Sequence, residues 1–109
     1  MIEDRILPAA ACADMADVRQ QIDRVDRALV KLIAERVTYI ERAGVIKQQR
    51  NAVRDEWRIQ DVLNKVLTES KRAGLPASVA EPVWRTLMEN CIEHELDTFD
   101  ARAENQLAR

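Results

Sequence analysis

Apolar residues recur along the first half of the chain at the three- and four-residue intervals of an amphipathic helix. Val18, Ile22, Val25, Leu29, Ile33, Ile40 and Ala43 all fall within about 40° of Leu29 when each residue turns the helix by about 100°. The stretch from Asp17 to about Gln49 is punctuated only by Gly44, and Asp14 or Asp17 is placed to cap its start. This predicts one helix of roughly 33 residues, about 50 Å long at about 1.5 Å per residue. A polar link, Gln48 to Val53, follows. Asp55 then reads as the N-cap of a second helix running to about Ala73, with Ile59, Leu63, Val66 and Leu67 on one face and Val62 at its edge. Gly74-Leu75-Pro76 stops it. Ser78 with Glu81 reads as a capping box for a third helix, and Pro82 is expected within its first turn, where a missing N–H costs little. That helix is expected to run to about Ala101 and to bury Trp84, Leu87, Met88, Cys91, Ile92 and Phe99. The first residues form an irregular arm broken by Pro8. The pattern is all-α and divides into an arm at 1–13, a helical domain at 14–102 and a tail at 103–109.

The three helices do not match in length. A second helix of roughly 18 residues, about 27 Å, and a third of roughly 24 are too short to cover a first of about 50 Å. Part of its apolar stripe would face water in a monomer. At about 25 cal/mol per Å² such exposure is costly. A second copy of the chain, related by a two-fold axis, is the simplest cover, so a homodimer is expected.

Composition narrows the function classes. At 109 residues the chain is long enough for one domain and too short for two. One Phe, one Tyr and two Trp are too few for base-stacking platforms, and a net charge of −2 with dispersed cations offers no basic patch. No nucleic-acid partner is expected. Cys12 and Cys91 lack metal-ligand spacing and read as reduced thiols of a cytosolic protein. MIEDRILPAA has no charged start followed by a long apolar run, so no signal peptide is expected, and nothing approaches a membrane span. A soluble, cytoplasmic protein with no membrane partner is the expectation.

The candidate chemistry lies where charge interrupts the stripe. On the first helix Arg36 falls about −20° from Leu29 and Lys47 about 0°, roughly 16 Å apart along one line. Arg24, Arg27, Lys31 and Arg42 lie on the opposite side, and Arg19 sits at the stripe's edge, near about +80°. Long cationic side chains at such positions either snorkel past the core or meet an anion, because a desolvated charge without a partner costs several kcal/mol. Glu95 is the matching oddity, inside the stripe of Trp84, Met88, Cys91 and Ile92. Two readings stay open. Glu95 forms an inert structural ion pair with Arg36 or Lys47, or the cations face a bound anion and Glu95 donates a hydrogen bond as a neutral acid. Burial favours the protonated form and nearby cations oppose it. His94 points about 100° away from Glu95 with no second His or Cys beside it, so no metal role is assigned. There is no nucleophile–base pair, Gly-rich phosphate loop or cofactor motif. Cations plus a hydrogen-bond donor suit chemistry driven by electrostatic preorganisation and substrate conformation.

The order Val18-Arg19…Ile22-Asp23, Leu32-Ile33-Ala34-Glu35-Arg36, Gly44…Lys47 and Val53-Arg54-Asp55…Arg58 resembles the all-helical chorismate mutase family over about residues 15 to 100. The gap-free block from Arg19 to Lys47 carries most of the likeness; the third helix matches by position. The resemblance implies an intertwined dimer of three-helix chains with active sites shared between subunits. It also implies a cofactor-free, metal-free Claisen rearrangement of chorismate to prephenate. By the same carry-over Arg36, Arg58 and the other chain's Arg19 would hold the two substrate carboxylates. Lys47 would contact the breaking ether oxygen and a carboxylate, Glu95 would hydrogen-bond the same ether oxygen, and Asp55 would contact the ring hydroxyl.

Three departures from the family pattern matter. Ile59 stands where many members carry a glutamate that binds the ring hydroxyl, and Cys91 replaces a small hydroxyl residue near a carboxylate. Glu95 has to be protonated to donate to an ether, so activity is expected to fall as pH rises, and Glu95→Gln is expected to flatten that profile. Isochorismate-pyruvate lyases are similar in fold and cationic cluster and tolerate an aliphatic residue resembling Ile59. Arg54-Asp55 in the link, and Glu95 in place of the glutamine associated with the lyase, favour the mutase. Aminated chorismate analogues are a third possible substrate. The rival from another class is a non-catalytic dimeric helical module whose Arg36, Lys47 and Glu95 form internal ion pairs.

Overall fold

The computed structural model describes residues 5–107, with side chains to 106. Residues 1–4 of the expected arm and 108–109 of the expected tail lie outside it. The order is a 3₁₀ turn at Ala9–Ala11, α1 (Met15–Ile46), a 3₁₀ turn at Arg50–Ala52, α2 (Glu56–Ala73) and α3 (Ala77–Leu107). All three helices expected from periodicity are present, in an all-α chain. Two compact units are distinguished, one up to Val37 and the other from Thr38 onward.

In the first unit the two candidate caps of α1 act together. Asp14 Oδ1 accepts from Asp17 N at 2.9 Å, and Asp17 Oδ2 accepts from Ala13 N at 2.9 Å. Asp14 thus satisfies one donor that the first helical turn leaves open, and Asp17 ties down the amide of Ala13 just before the helix. The arm is tied down by one amide: Gln21 Nε2 donates to Arg5 O at 2.8 Å, and Leu7 N donates to Gln21 Oε1 at 3.1 Å. The apolar stripe is uncovered, with exposures from 41 % at Ile33 to 51 % at Ile22 and Val25 and Leu29 between them.

In the second unit α2 and α3 pack together around Leu63, Ala80, Met88 and Cys91, all buried, with Val53 of the link also buried. Asp55 caps α2 as expected, its Oδ1 accepting from Arg58 N at 3.1 Å. Gly74 ends α2 in the left-handed region at φ 75°, and Leu75 N donates to Ser70 O at 2.8 Å, the six-to-one bond of a Schellman end.

The start of α3 departs from expectation. The Pro76 carbonyl accepts from Val79 N at 2.9 Å and Ala80 N at 3.0 Å, and the helix opens at Ala77. Ser78 is therefore already helical and cannot be the N-cap, while Glu81 reaches forward to Arg85 instead of back. Pro82 consequently lies in the second turn, inside the helix, where it withholds the N–H that would reach the Ser78 carbonyl. At its other end α3 continues to Leu107, past the expected stop near Ala101. Arg102, in this added stretch, contacts the end of α1 and the start of the link, as described below.

Candidate active site

Gly44 governs how closely α1 approaches α3 in the second unit. It is buried, and a Cβ there would lie 3.1 Å from Glu95 O and 3.3 Å from the Thr98 side chain. The missing side chain lets the last turn of α1 rest on the backbone of α3 where α3 carries Glu95. Lys47 follows just past that turn, its N still bonded to Ala43 O at 3.0 Å.

This approach brings the two charges together. Lys47 Nζ lies 2.7 Å from Glu95 Oε2 and 3.4 Å from Val53 O. The lysine side chain is 29 % exposed and the glutamate's 6 %. The Glu95 oxygen sits at ion-pair distance, yet its alignment falls short of a hydrogen bond and its hydrogen-bonding capacity is unfilled. Lys47 is thus the more exposed member of the pair.

The link carrying Lys47 toward α2 is fastened to α3 by arginines. Arg50 forms a paired bond with Asp100, Nε to Oδ1 at 2.9 Å and Nη2 to Oδ2 at 3.2 Å. The guanidinium holds the Asp100 carboxyl below its ordinary value, and Asp100 raises Arg50 in turn. Arg54 bonds Glu89 of α3 and Glu56 of α2, and the hydrogen bond to Glu89 is the main cause of its raised pKa. Arg102 donates from Nη1 to the carbonyls of Val45 and Lys47, the latter at 2.8 Å.

The other expected site residues are placed as follows. Cys91 is buried on α3 one turn before Glu95. Asp55 uses a side-chain oxygen for the α2 cap. Arg58 is exposed and bonded to Asp61 Oδ2 at 2.6 Å; Lys65, and after it Arg58, hold the Asp61 carboxyl below its ordinary range. Ile59 is half-buried on the first turns of α2. Arg19 and Arg36 belong to the first unit, Arg19 exposed and Arg36 half-buried on α1. Of these residues, the second unit brings Lys47 and Glu95 into contact.

His94 is turned to Glu41 of α1, Nε2 to Oε2 at 2.7 Å. Among the described residues no group of three or more His, Cys, Asp or Glu is placed to hold a metal ion, and no helix is long and apolar enough to cross a membrane. Arg102 was not singled out by sequence reasoning. Its one sequence signal is that nothing between Ala101 and Leu107 breaks a helix, which keeps α3 going far enough to present it.

Comparison with known proteins finds relatives of this chain. The chain is 29% identical over 82 residues to the T-protein of Haemophilus influenzae, a match covering 74% of this chain and 22% of that protein. It is 26% identical over 77 residues to the isochorismate pyruvate lyase of Pseudomonas aeruginosa, covering 71% of this chain and 76% of the lyase. The chain thus spans about a fifth of the T-protein's length. Residues 18–96, which include Lys47 and Glu95, match the model of the family described as chorismate mutase type II. This chain belongs to the chorismate mutase type II family.

Proposed function

We propose that the chain is a chorismate mutase, converting chorismate to prephenate in aromatic amino-acid biosynthesis, in the cytoplasm and without cofactor or metal. The observation that carries the reading is the Lys47–Glu95 pair, a nearly buried glutamate facing a lysine whose side chain is partly exposed, within the stretch matched by the family. The rearrangement breaks an ether C–O bond and forms a C–C bond within one molecule, so no group has to be transferred. Catalysis then consists of holding a chair-like conformer and stabilising negative charge on the departing ether oxygen. In this reading Lys47 turns from Glu95 to the ether oxygen and a carboxylate of the dianion, and Glu95, protonated, donates to the same oxygen. Arg36, Arg58 and the other chain's Arg19 clamp the carboxylates, and Asp55 meets the ring hydroxyl beside Ile59 and Cys91.

The reading includes a homodimer with shared sites, supported by the uncovered stripe Ile22, Val25, Leu29 and Ile33. Residues 14–102 would form the catalytic domain, with 1–13 as arm and 103–109 as tail.

A second reading, elimination of pyruvate from isochorismate to give salicylate, is favoured by the aliphatic Ile59 and by a likeness that spans 76% of the Pseudomonas aeruginosa lyase. One experiment separates the two. The purified chain is incubated with chorismate and, separately, isochorismate, and the products are identified by chromatography. Prephenate from chorismate is expected; salicylate alone would overturn the mutase assignment. A cyclic dicarboxylate that mimics the transition state should add about 2.7 kcal/mol of stability at a hundredfold excess over its Kd. A helical module with an inert Lys47–Glu95 bridge would show no such gain.

A further inference from the structure

The last carbonyls of a helix have no intrahelical donor and lie at the negative end of its dipole. The last turn of α1, Ala43-Gly44-Val45-Ile46, has no basic residue of its own to meet them. A cation arrives instead from α3. Arg102 Nη1 donates to Val45 O and to Lys47 O at 2.8 Å, and the guanidinium carbon sits 4.4 Å from the Phe99 ring centroid, one turn back on the same helix. Stacking on the ring fixes the guanidinium's plane. Its Nε is buried with no hydrogen-bond partner, a desolvation cost that the other two donations have to outweigh.

The carbonyl held at 2.8 Å belongs to Lys47 itself. The residue is anchored at both ends: its backbone by Arg102, its ammonium by Glu95 and the Val53 carbonyl. We propose that Arg102 is a positioning residue for Lys47, gripping the end of α1 so that the ammonium emerges in register with Glu95. Arg102 touches no reacting atom; it acts through the peptide from which Lys47 projects. The proposal rests on the catalytic role given to Lys47 above. Misplacing a reacting group by about 1 Å costs on the order of 10²-fold in rate, so a loosened helix end is enough to be felt.

The test uses Arg102→Gln and Arg102→Lys, each in the otherwise natural chain and in Lys47→Ala. In the natural background kcat should fall about 10- to 100-fold for the glutamine variant, with KM changed about threefold or less. The lysine variant should recover part of that loss, since an ammonium still donates to carbonyls. In Lys47→Ala both substitutions should change the remaining rate by about twofold or less, because effects routed through one side chain are not additive. Equal losses in the two backgrounds, or no loss in the natural one, would overturn the proposal. Hydrogen exchange provides a readout independent of turnover. Amides of residues 47–53 should exchange at least about tenfold faster in Arg102→Gln while those of α2 hold their rates; unchanged exchange in the link overturns the proposal even if neither chorismate nor isochorismate is a substrate. If Arg102→Gln fails to fold, the lysine variant carries the exchange and background comparisons alone, with a smaller loss expected and equal losses again decisive against it.

Discussion

At the scale of single residues, Lys47 and Glu95 are legible in the sequence because each breaks a periodic apolar face, and a charge in that position needs a partner. The fold supplies the partner: they face one another at 2.7 Å. Arg102 carries no such signal. It lies beyond Phe99, the last residue expected to be buried on α3, and looks like ordinary surface until the fold sets two carbonyls in front of it. Glu95→Gln separates charge from hydrogen bonding at the site. Glutamine keeps a donor at this position without the charge that pairs with Lys47. Under the donor role proposed above, Glu95→Gln should keep activity on chorismate within about tenfold of wild type, while Glu95→Ala should lose about 10²-fold or more. Equal losses in the two variants would remove Glu95 from the donor role.

At the scale of elements, helix existence and the caps at Asp14, Asp17, Asp55 and Gly74 were legible because each depends on residues within one turn. The register at Pro82 was not. A Ser-x-x-Glu pattern fits a helix start at Ser78, but the Pro76 carbonyl takes the first donors and moves the start upstream. Nor was the continuation of α3 past Ala101, where Arg102 bonds carbonyls more than fifty residues away in sequence. Gly44→Ala tests the approach of α1 to α3. Alanine gains about 1 kcal/mol of helix propensity, but its Cβ would meet the Glu95 carbonyl at 3.1 Å, and overpacking of this kind costs about 1–3 kcal/mol. A net loss of about 1 kcal/mol is expected in urea denaturation, with a larger proportional loss of kcat as Lys47 is displaced from Glu95. Asp100→Asn tests the strap between link and α3. Arg50 lowers the Asp100 carboxyl from its ordinary 3.8, so the folded state binds that proton less readily than the unfolded chain. The stabilisation is fully present above pH 3.8 and is lost as pH falls through the depressed folded value. Wild type should therefore denature at higher urea than Asp100→Asn near neutrality, and the gap should close towards about pH 2.

At the scale of the molecule, the expected mismatch in helix lengths does not hold for α3, which at 31 residues nearly equals α1 at 32, yet the apolar stripe on α1 is still about half exposed. Seven positions in register are enough to define an apolar face, but they do not name what would cover it. Leu29, 47 % exposed at the centre of the stripe, is the place to ask. A homodimer should sediment as a single species of twice the chain mass. Leu29→Glu should shift it to the monomer, since a desolvated unpaired charge costs several kcal/mol. A wild-type protein that sediments at the mass of one chain would oppose the shared site.

The same stripe has a consequence for how heat resistance must be measured. In the proposed homodimer, a chain whose Ile22, Val25, Leu29 and Ile33 are about half exposed on their own would draw part of its cohesion from the second copy. The melting temperature should then climb with each tenfold increase in protein and fall on dilution, because association and unfolding compete by mass action. Values taken at a single concentration would rank variants by how they assemble as much as by how they fold.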